Sequence, residues 1–261
     1  MRPISFVLAC LALPAAAEDT SLELVLLADA SGSIDAAEIA FQRQGYADAI
    51  TDPEVLSSIA SSPYGSIAVT YVEWAANQAV VSDWTMIASE ADADAFAASL
   101  LEPPRQAYGR NAIGAALLEG LRLIEENDIE GFRRVIDFSG DSIGNYSGPA
   151  IEDARDQVVA AGVTINALPI LRPDDPGRAQ GGLEAAYEAR IIGGPGAFVV
   201  TADRSDSFAE SVRRKLILEI AGPDAQAPIT SAERILRQTP YRGKRLLTNS
   251  APEETSLPLL P

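Results

Sequence analysis

At 261 residues with 47% hydrophobic composition, the chain is long enough to bury the core of one large domain and too apolar to be disordered. Its 20 basic and 37 acidic residues leave a net charge of −17, which repels nucleic acid and anionic lipid; solubility in a secreted setting accounts equally well for the acidity. With no histidine and one cysteine, it lacks the Ser-His-Asp and Cys-His machineries, the commonest zinc and copper ligand, and any disulfide framework.

In chain order, the first residues read as a secretory signal over 1–17. Arg2 supplies a positive end, Ile4 to Leu13 a short apolar run, and Ala15-Ala16-Ala17 a small-residue cleavage site before Glu18. A buried N-terminal strand or helix is the alternative reading. The run is too short to span a bilayer, so no stable membrane insertion is expected after cleavage. Cys10, the one cysteine, sits too early in the run to be more than a weak lipoprotein cue.

The apolar run ending at Ala28 has strand length and the continuous character of a strand covered on both faces. Asp35 with Glu38 three residues on forms a capping-box-like start for a helix to about Ile50, which ends before Asp52-Pro53. Ser66 to Trp74 reads as the second strand. Gln78 to Trp84 reads as a short third strand, able to pair antiparallel with it across Ala75-Ala76-Asn77. Helices are expected near 90–101 and 111–126, then a strand at Arg133–Phe138 and a helix near 150–161. A strand at Val163–Pro169, a helix at about 181–192, a sixth strand at Ala197–Thr201 and a last helix from Ser205 to about Ile220 complete the pattern. Strands separated by helices imply right-handed crossovers. The expected fold is therefore α/β and doubly wound: a mostly parallel six-stranded sheet with one short antiparallel edge strand and helices on both faces. This domain spans 18–222. Residues 223–261 form a Pro-rich tail, read as extended or disordered with room for one short helix near 230–238.

In such a sheet, ligands gather beyond the carboxyl ends of strands where the strand order reverses. Asp29-Ala-Ser31-Gly-Ser33 follows the first apolar strand, and Ser139-Gly-Asp141-Ser142 follows the fourth. Between them a helix begins near Tyr108-Gly-Arg-Asn111. Asp29, Ser31 and Ser33 put one carboxylate and two hydroxyls on a tight loop, all hard oxygen donors of the kind Mg²⁺ takes. Together with one further carboxylate they could leave a coordination position open for a partner's carboxylate. Gly32 lets the backbone turn sharply between the serines.

The Asp29-x-Ser31-x-Ser33 run after a hydrophobic strand resembles the metal-ion-dependent adhesion site of von Willebrand factor A domains. The helix start Arg110-Asn111-Ala112-Ile113-Gly114-Ala115-Ala116-Leu117 resembles that family's second metal loop, and Ser139-Gly140-Asp141 its third. The likeness covers about 22–221. It is closer still to one bacterial subgroup, the exported DUF1194-type proteins of unknown function, through Glu73-Trp74, Trp84 and Val135 to Asp141. The resemblance implies a metal site on Asp29, Ser31, Ser33, Asn111 and Asp141, holding Mg²⁺ or else Ca²⁺ or Mn²⁺. It implies a non-enzymatic adhesion- or assembly-type module in the periplasm or outside the cell, binding a protein partner by an acidic side chain. One position departs from the pattern: Asn111 stands where the family usually has threonine, which puts metal affinity in question.

Other readings stay open beside these. Ser33 could cap the first helix and Asn111 the helix that follows it, leaving a metal-independent interaction domain. Asp137 is expected to point away from the metal face or to pair with a neighbour. Ser142 and Asn145 lie where they could bind outer-sphere water. Trp74 and Trp84 are read as packing at the sheet edge, and Arg110 as able to meet an acidic ligand at the rim. A hydrolase using Asp141 and Ser142 would lack a histidine base, and the first strand-to-helix loop matches no nucleotide-binding glycine pattern.

Overall fold

The computed structural model describes residues 18–171, 182–202 and 208–222. The expected signal segment 1–17 and tail 223–261, including the helix considered near 230–238, lie outside these residues.

The apolar run becomes β2 (Glu23–Asp29), buried along its whole length. Side chains on a strand alternate between faces, so an unbroken apolar run must be covered twice. Leu24, Leu26 and Ala28 enter one core with residues of α1 (Ala36–Ile50), α2 (Pro53–Ala60), α3 (Glu90–Leu101) and α7 (Phe208–Ala221). Val25 and Leu27 enter a second core with α4 (Ile113–Glu125), α5 (Ile151–Ala160) and α6 (Gly182–Arg190). Among the described residues, no helix is long and apolar enough to cross a membrane.

The main sheet has five strands in the order β4-β3-β2-β6-β7. β3 (Ile67–Trp74), β6 (Arg134–Gly140) and β7 (Thr164–Pro169) run parallel to β2, and β4 (Gln78–Ile87) is antiparallel to β3. The chain leaves β2 toward β3 on one side and β6 toward β7 on the other. The carboxyl ends of β2 and β6 therefore flank a topological switch point, where a crevice opens.

The doubly wound reading holds, with corrections of detail. The antiparallel edge strand is not short: β4 has ten residues. The sixth strand expected at 197–201 does not form. That segment meets β7 and the residue after it in isolated bridges rather than as a strand, Ala167 with Val199 and Ile170 with Ala202. The Phe198 N–H is given to the Asn166 side chain at 3.2 Å, which interrupts a ladder. Three elements were not foreseen. Pro53 opens α2, capped by Asp52; and β1 (Glu18–Thr20) pairs in parallel with β5 (Ile129–Gly131) as a separate small sheet.

Candidate functional site

At the switch point the loops after β2 and β6 meet. The Asp29 carboxylate accepts the Ser31 N–H at 2.8 Å through Oδ1 and the Asp141 N–H at 3.4 Å through Oδ2. The hydroxyls of Ser31 and Ser33 lie 3.2 Å apart, and Ser33 Oγ stands 3.4 Å from Asp141 Oδ1. Four of the five expected residues, Asp29, Ser31, Ser33 and Asp141, thus form one cluster of oxygen atoms. Asp29, Ser31 and Asp141 are fully buried, while Ser33 reaches the surface.

Gly140 permits this approach. A Cβ there would stand 2.9 Å from Trp74 Cζ2, 3.0 Å from the Tyr187 hydroxyl and 3.1 Å from Asp29 Oδ2. Beneath the loop, Trp74 stacks on Phe138 at 4.9 Å and donates its indole N–H to the Ser139 carbonyl at 3.0 Å. Tyr187 donates to the Ser142 carbonyl at 3.2 Å. Gly32 does not carry the role expected of it: its φ is not positive, and a Cβ would make only ordinary contact.

The first loop is held from outside by a residue sequence reasoning passed over. The Arg105 guanidinium donates to the carbonyls of Ala107 at 2.8 Å, Ile34 at 2.9 Å, Ser31 at 3.0 Å and Ala30. Gly109 accepts the Gly32 N–H at 2.8 Å, with its own φ at +102° and Ala76 packed against the space a side chain would need. The loop carrying Arg105 is itself anchored by a buried ion pair. Arg43 and Glu73, 4% and 1% exposed, meet at 2.7 Å. Arg43 also donates to the carbonyls of Leu100, Pro103 and Pro104, and Glu73 accepts the N–H groups of Gln106 and Ala107. A lone acid near the end of an apolar strand was the available signal for this pair.

Asn111 is buried beside the site, and its carbonyl accepts the Tyr146 N–H at 2.8 Å. No hydrogen bond ties its side chain to the other four residues, and its amide nitrogen has no partner among the described residues. The capping alternatives fail. Ala112, with no side-chain bond, is the N-cap of α4, and Asp35 caps α1 in a full capping box with Glu38.

Burial pushes the Asp29 carboxyl up to about 6; the Ser31 N–H opposes the shift and the neighbouring Asp141 adds to it. Asp137 points away from this cluster, as expected, and pairs with the buried Lys215 of α7 at 2.7 Å. Ser142 Oγ accepts the Gly144 N–H at 3.1 Å, and Asn145 bridges from Gly114 N–H to the Pro149 carbonyl. Trp74 is buried, and Trp84, partly buried, donates to the Leu123 carbonyl. Among the described residues, no three His, Cys, Asp or Glu gather as an ion site, so any cation here would rest on two carboxylates plus hydroxyls. A cavity of about 890 Å³ lies at the opposite, amino-terminal end of the sheet, lined by Glu23, Arg134 and Thr164 among others, and shares no residue with this cluster.

A family model described as "Protein of unknown function (DUF1194)" matches residues 19–224. The chain belongs to the DUF1194 family. No curated protein matches it. Solved structures show that the DUF1194 chain has the fold of a von Willebrand factor A domain. It is similar to the von Willebrand factor type A protein from Catenulispora acidiphila, with 15% identity, a TM-score of 0.53, and coverage of 77% of this chain and 43% of that one. It is similar to proximal thread matrix protein 1 of the mussel byssus, in a form with a zinc-occupied MIDAS motif: 17% identity, TM-score 0.51, coverage 78% and 46%. The pilus adhesin SpaC of Lactobacillus rhamnosus GG shares 14% identity and a TM-score of 0.54, with coverage of 76% and 31%. The DUF1194 chain thus spans less than half the length of each of these three.

Proposed function

We propose that this protein is a non-enzymatic, exported module that binds a protein partner through a divalent cation held by Asp29, Ser31, Ser33 and Asp141, with Asn111 beside them. The observation that carries this reading is the convergence of two buried carboxylates and two serine hydroxyls at the switch point. Burying carboxylates together is costly unless a positive charge offsets them. Asp29 has no ion pair among the described residues, and burial pushes its carboxyl toward the neutral form. The donor set is entirely hard oxygen, the kind that Mg²⁺, Ca²⁺ and Mn²⁺ accept. Asn111 lies beside this set with its amide nitrogen, a donor, unpartnered among the described residues; only its side-chain carbonyl could reach an ion, and the residue departs from the threonine the family usually shows. A bound cation would supply the positive charge that attracts a partner's carboxylate. The exposed Ser33 marks the side from which a partner would approach.

An interaction role is supported by the adhesive and matrix proteins among the structural neighbours. Export over the 1–17 signal, a domain over 18–222 and an extended tail over 223–261 complete the proposal. Titration calorimetry with Mg²⁺, Mn²⁺ and Ca²⁺ tests it. The wild type is expected to bind at least one of these ions and Asp29→Ala none. A pull-down from envelope extract should then lose its partner in EDTA and in Asp29→Ala. Absence of ion binding by the wild type, or equal binding by the variant, would overturn the reading.

A further inference from the structure

Arg110 and Tyr146 form a unit on the rim of the site that the metal reading leaves unused. Arg110 is exposed, and its guanidinium carbon sits 3.6 Å from the centroid of the Tyr146 ring. Both residues flanking Arg110 are tied to the site loops. The Gly109 carbonyl takes the Gly32 N–H from the first loop, and the Asn111 carbonyl takes the Tyr146 N–H from the third, each at 2.8 Å. Arg110 is therefore held where the three loops meet.

A guanidinium lying on an aromatic face keeps its plane fixed while its N–H edge stays open. Among the described residues, Arg110 makes no hydrogen bond and no ion pair. Arg105, the neighbouring cation, has its donors committed to four backbone carbonyls. An acidic partner approaching a protein of net charge −17 meets repulsion, and a restrained, unspent guanidinium beside the site offsets it. The planar fork matches a carboxylate with two parallel hydrogen bonds, a geometry that a lysine does not reproduce.

We propose that the partner is an acidic peptide segment that presents two carboxylates, one for the cation site and one for Arg110, with Tyr146 pre-setting the arginine. This inference rests on the metal reading above and adds the partner's chemistry to it.

The test uses the full chain in Mg²⁺ and fluorescein-labelled peptides carrying two aspartates across a short glycine-serine spacer. In the control peptides the second aspartate is replaced by asparagine. Fluorescence anisotropy is expected to show the two-aspartate peptide of best spacing binding about tenfold more tightly than its control, the worth of one charge-assisted contact. Arg110→Gln should erase that preference while the calorimetric Mg²⁺ affinity stays at the wild-type value. Tyr146→Ala should reduce the preference without abolishing it. Equal binding of the two peptides by the wild type, no binding of either, or loss of both together in Arg110→Gln would overturn the proposal. A two-aspartate preference that persists in EDTA and still vanishes in Arg110→Gln would uphold Arg110 as the anchor and count against the metal reading alone.

Discussion

Replacing Arg43 and Glu73, singly and together, tests whether the buried ion pair holds the loops that carry the site. Removing one partner of a buried pair strands the other charge, which costs about 3–5 kcal/mol. Arg43→Met and Glu73→Leu should each fall in that range, a large part of the roughly 5–15 kcal/mol that holds a typical domain folded. Buried pairs can often be exchanged together for apolar residues at little cost. This one differs because it also satisfies backbone. Arg43 donates to three carbonyls and Glu73 accepts two N–H groups. The double variant leaves those five groups without their partners, each worth on the order of 1 kcal/mol where water cannot replace them. Its destabilisation is expected at about 4–6 kcal/mol, with a favourable coupling of roughly 2–3 kcal/mol between the sites. Urea unfolding of the four species, followed by circular dichroism, completes the cycle. A double variant as stable as the wild type, or single effects that simply add, would refute the reasoning.

Gly140→Ala should place a methyl group within 2.9–3.1 Å of Trp74, Tyr187 and Asp29, lowering stability by about 1–3 kcal/mol; thermal melts and Mg²⁺ calorimetry should show metal affinity lost along with it. The buried cluster of Asp137, Lys215 and Glu219 should make stability fall as pH rises between about 4.5 and 7. Burial pushes the Glu219 carboxyl up to about 7, against Lys215 and with Asp137, and raises Asp137 as well. In that window the folded state keeps a proton that the unfolded chain releases, so the stability present at low pH is lost through the folded value. Urea midpoints across pH should show this slope, flattened in Glu219→Gln; a wild-type midpoint that rises from pH 5 to pH 7 would refute it.

Much of the site was legible because each of its outer loops follows a strand whose apolar run is unambiguous, at β2 and at β6. The second loop was less so. Asn111 has the chemistry of a helix cap, yet α4 begins two residues later, Ala112 holds the cap position, and the Asn111 amide nitrogen has no partner among the described residues. Pro53 was read as a stop, whereas after Asp52 it occupies the first helical position, where its missing N–H costs nothing. Ala197 to Thr201 has strand propensity, but propensity makes no ladder when a side-chain carbonyl captures the Phe198 N–H. Arg105 was hidden for a different reason, and the Arg43–Glu73 pair left only the lone acid Glu73 in an apolar strand as a cue. Apart from Ala107, their partners lie 30 to 75 positions away along the chain, and local pattern does not report which residues meet at that distance.

The indole of Trp74 gives the protein a built-in optical reporter. It is one of two tryptophans, wedged under Gly140 and bonded to the Ser139 carbonyl, one position before the glycine that admits Asp29. Trp84 sits apart, on β4 against α4. A shift of the third loop by a fraction of an ångström would change the hydrogen bond and the packing of one chromophore and leave the other in place. With Trp84 replaced by phenylalanine, emission from the remaining indole would follow that loop in real time as an ion or a partner arrives, with no label attached.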